Sequence, residues 1–347
     1  MKSYSSFSYS CIGENHIKKG IVCQDSSLNV TNSRYSFAAT ADGHGSLCYL
    51  RTDRGSEYAV DCAQSCVDEF LRNLKDTDAD LNNEDERDEL FFQLWKSIVS
   101  RWHSNAEEDF RFEPFSQEEL DRIPEQFDYY RERYLSGRYI EAYGTTLAFA
   151  VVTEDFAFCA QIGDGSCVAI NEDGEVYEPI PKDPRCHDNV TTSMCQEDAA
   201  FSARFVYFPK DNIPPVIFLG TDGIENSYWS ENQLFGFYRG LALTFSENGQ
   251  DEAVRQLAMF LPEMTRRGSG DDVTCAGVID YDRLKNMEEI LKAAICEAEE
   301  EMNELSDKDA AIVVTKDEEA PISAPPTGSD SIEVESFDGE DPESEAE

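Results

Sequence analysis

Four aspartates recur in one setting, at a strand terminus or in a glycine-rich turn. They are Asp42 in "TADGHG", Asp164 in "QIGDGS", Asp222 in "GTDGIENS" and Asp271 in "GSGDDVT". One Asp-Gly is an ordinary turn. Four of them, each at the end of an apolar run and the first followed by His44, point to carboxylates converging from several strand ends. Glycine lets the backbone turn sharply and lets its carbonyl approach a ligand. Carboxylates and carbonyls together are the ligands of a hard divalent cation such as Mg²⁺ or Mn²⁺. Two such ions sharing one carboxylate would hold a water and acidify it into a nucleophile near neutral pH. The acids are too far apart in the chain for a contiguous calcium loop.

The elements that must position these acids are legible in outline. "YSFAATAD" reads as a strand ending at Asp42, and "PPVIFLGTDG" repeats that theme at Asp222. From Gly55, apolar residues at helical spacing (Tyr58, Cys62, Cys66, Phe70) predict a helix, and a second follows through "DELFFQLWKSIVSRWHSNAEEDF". Residues 111–139 are polar and read as an insertion or an extra helix, within a variable stretch of about 75–140. "TTLAFAVV", "FAFCAQIG" and "SCVAIN" read as a β-meander. "ENQLFGFYRGLALTF" and "DEAVRQLAMFLPEM" read as helices, and "DRLKNMEEILKAAICEAEEEM" as a closing helix. This order is α+β: a central β-sandwich of two antiparallel sheets flanked by α-helices, occupying residues 1–305.

Composition excludes several classes. The chain of 347 residues carries 71 Asp+Glu against 29 Lys+Arg, a formal net charge of -42. Such a surface repels nucleic acid and anionic lipid, so no nucleic-acid partner and no direct membrane insertion are expected. Phosphate chemistry would need local positive charge, most simply metal ions. No apolar run is long enough to span a membrane, and the opening residues lack a signal peptide's apolar stretch. Eleven cysteines, several in apolar runs, read as buried reduced thiols of a cytoplasmic protein. From Ser306 the chain has 14 acids against Lys308 and Lys316. This acidic tail, 306–347, is expected to be disordered, and it could dock a partner through "AAIVV".

The motifs resemble, in family order, those of the metal-dependent type 2C serine/threonine protein phosphatases, the PPM family. The matching pieces are "CQDS" (23–26), "ADGHGS" (41–46), "GTT" (144–146), "GDGS" (163–166), "GTDGIENS" (220–227) and "GDDVT" (270–274). The short opening around "GENHIKKGIVCQD" looks like bacterial members. The resemblance implies hydrolysis of phosphoserine and phosphothreonine on proteins with two Mn²⁺ or Mg²⁺ ions. It implies that Asp42 bridges the metals, that the Gly43 carbonyl binds the second, and that Asp222 and Asp271 complete the first. Asp25 would stand in the outer shell holding metal-bound water, and Asp272 would orient its neighbours. His44 would be the general acid, a task suited to an imidazole with a pKa near neutrality.

The chain departs from the family pattern at two places. The arginine that grips substrate phosphate is missing near Gly20, leaving Lys18, Lys19 or His16 to supply charge, without an arginine's bidentate fork. Asp164 matches a third-metal ligand, but the position four after Asp222 is Asn226 rather than Asp, so a third metal is expected to be weak or absent. The segment 181–212 is expected to form a flap beside the site. The alternative reading is a catalytically weak pseudophosphatase that keeps the fold as a binding or regulatory module. Against it stands the electrostatic cost of clustered carboxylates.

Overall fold

The run Phe37-Ala38-Ala39-Thr40-Ala41 is buried throughout, which requires cover on both faces of its strand. The structure, a computed structural model, describes residues 4–74, 81–187 and 190–297. Its strands are β1 (Tyr4–Cys11), β2 (Ser26–Thr31), β3 (Ser36–Ala41), β4 (Leu147–Val152), β5 (Phe156–Ile162), β6 (Ser166–Ile170), β7 (Val176–Tyr177), β8 (Arg204–Pro209), β9 (Val216–Gly220) and β10 (Val273–Asp280). Its helices are α1 (Glu14–Lys19), α2 (Thr52–Leu74), α3 (Glu84–Phe112), α4 (Gln117–Asp121), α5 (Asp128–Leu135), α6 (Asp222–Glu225), α7 (Glu231–Asn248), α8 (Gln250–Arg267) and α9 (Tyr281–Asn286). Two five-stranded antiparallel sheets result, ordered β1-β10-β9-β6-β7 and β2-β3-β4-β5-β8.

The period-2 pattern of each strand divides its side chains between two cores. Ala38 on β3, Ala148 and Ala150 on β4 and Cys159 on β5 meet Cys167, Ile217, Leu219, Ala276 and Val278 between the sheets. Phe37, Phe149 and Phe158 face the other way, onto Ala59, Ala63 and Val67 of α2 and Trp95, Ile98 and Trp102 of α3. On the far sheet, Phe7, Phe218 and Ile279 pack beneath Tyr238 and Phe245 of α7 and Leu257 and Leu261 of α8. The sandwich flanked by helices therefore stands as the sequence predicts.

Local details differ from the sequence outline. The meander is broken: β8 takes the edge beside β5, so β6 crosses to the other sheet and pairs with β9. The stretch 75–140 includes core elements, since α3 supplies Phe91, Trp95 and Trp102, and Leu120, Ile123 and Tyr134 are buried beyond it. The polar opening holds β1, α1 and β2. In β1 serines face Asn29 and Thr31 of β2, bonding through Ser8 and Ser6, so a hydrophobic pattern gives little sign of it. The closing helix is also split, α9 being followed after Met287 by a helical segment at 288–297. The acidic tail lies outside the described residues.

Candidate active site

Strand register gathers the aspartates at one end of the sandwich. Ser26 of β2 pairs with Ala41 of β3, which sets Asp25 and Asp42 side by side. Gly220 of β9 pairs with both Cys275 of β10 and Ser166 of β6. Asp222, Asp271 and Asp164 therefore emerge at the ends of three adjacent strands.

Backbone close approach fixes the turns that carry them. A Cβ on Gly43 would sit 2.4 Å from Thr52 Oγ1 and 2.6 Å from the Gln24 carbonyl. Gly43 also forms an isolated bridge with Thr145. The hydrogen bonds of that bridge run from Thr146 N to Asp42 O (2.8 Å) and from His44 N to Gly144 O (3.1 Å), so it does not use the Gly43 carbonyl. A Cβ on Gly223 would meet the Asp272 carbonyl at 2.0 Å. Only glycine lets α6 begin this close to the Asp271–Asp272 turn.

The carboxyls of Asp42 and Asp222 lie close enough for each to shift the pKa of the other. Burial pushes Asp42 well above the ordinary carboxylate range, and the Asp222 charge pushes it further. Asp222 rises to about 6, first through burial and then through Asp164 and Asp271. Asp25, 6% exposed, accepts from Thr221 Oγ1 at 2.8 Å. Its pKa is also raised, by burial and by Asp272. Asp271 is exposed and acts on both Asp42 and Asp222 through its charge. Among the described residues no three His, Cys, Asp or Glu side chains converge as a ready-made metal shell. What converges is the Asp42–Asp222 pair, within a set of oxygen donors whose mutual repulsion a hard cation would relieve. The donor chemistry fits such an ion.

Asp164 lines a cavity of about 280 Å³ that also reaches Asp222, Asn226, Lys182 and Arg204. Asn226 donates its amide N–H to Asp222 Oδ2 at 3.0 Å. Lys182 is held by Glu225, and Arg204 donates to the carbonyls of Pro181 and Gly163, tying the 181–212 segment to the Asp164 turn.

His44 packs edge-on against Tyr49, with ring centroids 4.8 Å apart. Burial lowers its pKa to about 4, below the near-neutral value expected of it. Its Nε2 lies 2.7 Å from the Ser193 hydroxyl. Sequence reading missed Ser193, because no motif marks it within an irregular segment.

The substitutes for the missing arginine separate. Lys18 and Lys19 stand exposed on α1, and Lys18 pairs with Glu14 at 3.3 Å. His16 is buried with Nδ1 2.9 Å from Asp272 Oδ1, and this contact removes it from phosphate binding. Asp272 also accepts from Gly13 N (2.6 Å) and Gln24 N (2.5 Å), and so holds the loop that carries Asp25. Burial raises Asp272, but the His16, Gln24 and Gly13 hydrogen bonds outweigh it and lower its pKa. The Asp272 hydrogen bond raises that of His16 against burial. Asp272 thus adds stability that is lost as pH falls below the ordinary carboxylate value, and His16 adds stability that is lost as pH rises past the ordinary histidine value. The pair contributes most between roughly pH 4 and 6.5. We expect His16→Asn to cost about 1–2 kcal/mol at pH 5.5 and less at pH 8.5, read by urea denaturation. An equal loss at both values would contradict the charged pair.

Residues 12–262 match the family described as protein phosphatase 2C, and the chain belongs to it. It is thus a serine/threonine protein phosphatase by family. Solved structures are similar to it at low identity. Serine/threonine phosphatase Stp1 from Staphylococcus aureus is 15% identical, over 79% of this chain and 94% of that one, with a TM-score of 0.48. PppA, a regulatory component of T6SS in Pseudomonas aeruginosa, is 16% identical over 80% and 97%, with a TM-score of 0.48. The catalytic domain of PstP, in complex with two manganese ions, is 15% identical over 80% and 97%, with a TM-score of 0.44. No curated protein sequence matches the chain.

Proposed function

We propose that the chain hydrolyses phosphoserine and phosphothreonine esters on proteins, using two divalent cations, Mn²⁺ or Mg²⁺, and His44 as the general acid. The observation that carries this reading is the Asp42–Asp222 carboxyl pair at the end of the sandwich, with its raised pKa values. Asp42, Asp222, Asp271 and the Gly43 carbonyl would hold the cations, with Asp25 in the outer shell. When bound, such cations supply Lewis acidity that neutralises phosphoryl oxygens and acidifies water. Asp42 is held from behind, its carbonyl accepting from Thr146 N and from Thr145 Oγ1 (2.9 Å). Asp25 is oriented by Thr221, and its loop by Asp272. Asp164 reaches the same cavity as Asp222, but Asn226 brings no charge, so a third cation is weak or absent. Lys18 and Lys19 supply the positive charge nearest the opening loop. Among the described residues no helix is long and apolar enough to cross a membrane. The eleven cysteines are free thiols, as a cytoplasmic setting would keep them.

The test compares two substrates with Mn²⁺ and with EDTA. p-Nitrophenolate leaves without protonation, whereas a threonyl alkoxide does not. Turnover of both should require the metal. His44→Asn should cut kcat on a phosphothreonine peptide by roughly 100-fold or more, and by far less on p-nitrophenyl phosphate. Equal losses would mean that His44 only shapes the turn. Folded protein inert in every metal would leave the pseudophosphatase reading.

A further inference from the structure

Ser193 lies in the irregular segment between β7 and β8 and is 2% exposed. Its hydroxyl donates to the Thr145 carbonyl at 3.1 Å and stands 2.7 Å from His44 Nε2. A carbonyl oxygen only accepts, so with the hydroxyl proton placed on Thr145 O the 2.7 Å contact is made by a proton on His44 Nε2. Thr145 O also accepts from Met194 N at 2.9 Å, and Cys195 N donates to Ser193 Oγ at 3.4 Å. With this assignment the carbonyl uses both lone pairs, and Cys195 Sγ stands 3.2 Å from the same hydroxyl.

We infer that Ser193 is a positioning residue: it keeps a proton on His44 Nε2 and so makes Nδ1 the nitrogen that acts on substrate. This rests on the reading of His44 as general acid. Packing agrees with the orientation. A Cβ on Gly144 would lie 2.5 Å from His44 Cδ2, so the Nε2–Cδ2 edge of the ring is turned against the protein. In the chemical step a bond forms between water oxygen and phosphorus, and the bond from phosphorus to the seryl or threonyl oxygen breaks. The proton on Nδ1 of the doubly protonated ring passes to that oxygen. The ring is left neutral, its Nε2–H still on Ser193, and takes its next proton from solvent, which also receives the proton released by water. Thr192, next to Ser193, accepts from Gly163 N at 2.9 Å. One short piece of chain therefore holds both the acid and the turn that carries Asp164.

The test uses the full chain. It has four histidines, so ¹⁵N imidazole spectra resolve them, with His44→Asn as the assignment control. At pH 7.5 His44 should be the Nε2–H tautomer. Ser193→Ala should mix the tautomers, and Ser193→Thr should restore the first. On a phosphothreonine peptide, Ser193→Ala should lower kcat about five- to tenfold at unchanged KM, a larger fall than on p-nitrophenyl phosphate, and Ser193→Thr should recover most of it. An Nδ1–H tautomer in the parent protein, an unmoved tautomer in Ser193→Ala, or equal losses on both substrates would overturn the proposal. The spectrum is read without turnover, so an inactive parent with a fixed Nε2–H would instead overturn the hydrolytic reading of His44.

Discussion

Asp222→Asn is expected to abolish metal-dependent hydrolysis, by about 1,000-fold or more in kcat/KM, and to stabilise the protein in EDTA. Both effects follow from one carboxylate. Its folded pKa of about 6 lies above the ordinary 3.8. Between those values the folded state keeps a proton that the unfolded chain has lost, so stability falls as pH rises through this window and the full penalty stands above it. A difference of that size is worth about 2–3 kcal/mol. Asparagine removes the charge while its side-chain oxygen can still accept from Asn226. The gain should therefore be present at pH 7.5 and absent near pH 4, measured as a melting temperature in EDTA. Mn²⁺ should then raise the melting temperature of the parent and do so far less for the variant. Full activity in the variant, or the same Mn²⁺ response in both proteins, would refute the assignment.

The contrast between what the sequence carried and what it hid has a physical basis. Asp42, Asp222 and Asp271 are legible because a strand end needs an abrupt change from apolar residues to glycine, and that change is written locally. The sandwich is legible because β3, β4, β5 and β9 are apolar on both faces, as strands covered on both sides must be. Partners contributed by distant loops are not written locally. Ser193 meets His44 across 149 positions, and His16 meets Asp272 across 256. Nothing in "TTSMC" or "GENHI" states such a contact. β6 was readable as a strand but not in its sheet, because pairing depends on β8, which arrives later in the chain.

Arg51 carries the largest stability effect expected away from the carboxylates. Its side chain is 2% exposed, and every direction from the guanidinium is occupied. It donates to Glu119 through Nε (2.9 Å) and Nη2 (3.3 Å), and the two N–H groups of Nη1 are shared among Asp109 (3.1 Å), the Glu113 carbonyl (2.6 Å) and the Tyr143 hydroxyl (3.1 Å). It stacks over Phe115 at 4.7 Å. Arg51→Ala leaves Asp109 and Glu119 facing a cavity with less counter-charge, and breaking a buried pair from one side costs about 3–5 kcal/mol. Arg54 also holds Asp109, and Ser116 holds Glu119, so the lower end of that range is expected. Arg51→Lys should recover only part, since one ammonium cannot serve four acceptors in a plane. The network lies directly behind the site: Arg51 N donates to Ala142 O at 2.8 Å, and Thr52 Oγ1 to Gly144 O at 2.6 Å, beside the turn that holds His44. Lost cohesion there should appear as a urea midpoint shifted at constant slope and a melting temperature lower by roughly 10 °C, with metal-dependent activity retained at low temperature where the variant stays folded. A loss below about 1 kcal/mol would mean that these contacts behave as solvent-screened surface pairs and that the helices over β3 are held by Trp95, Ile98 and Trp102 alone.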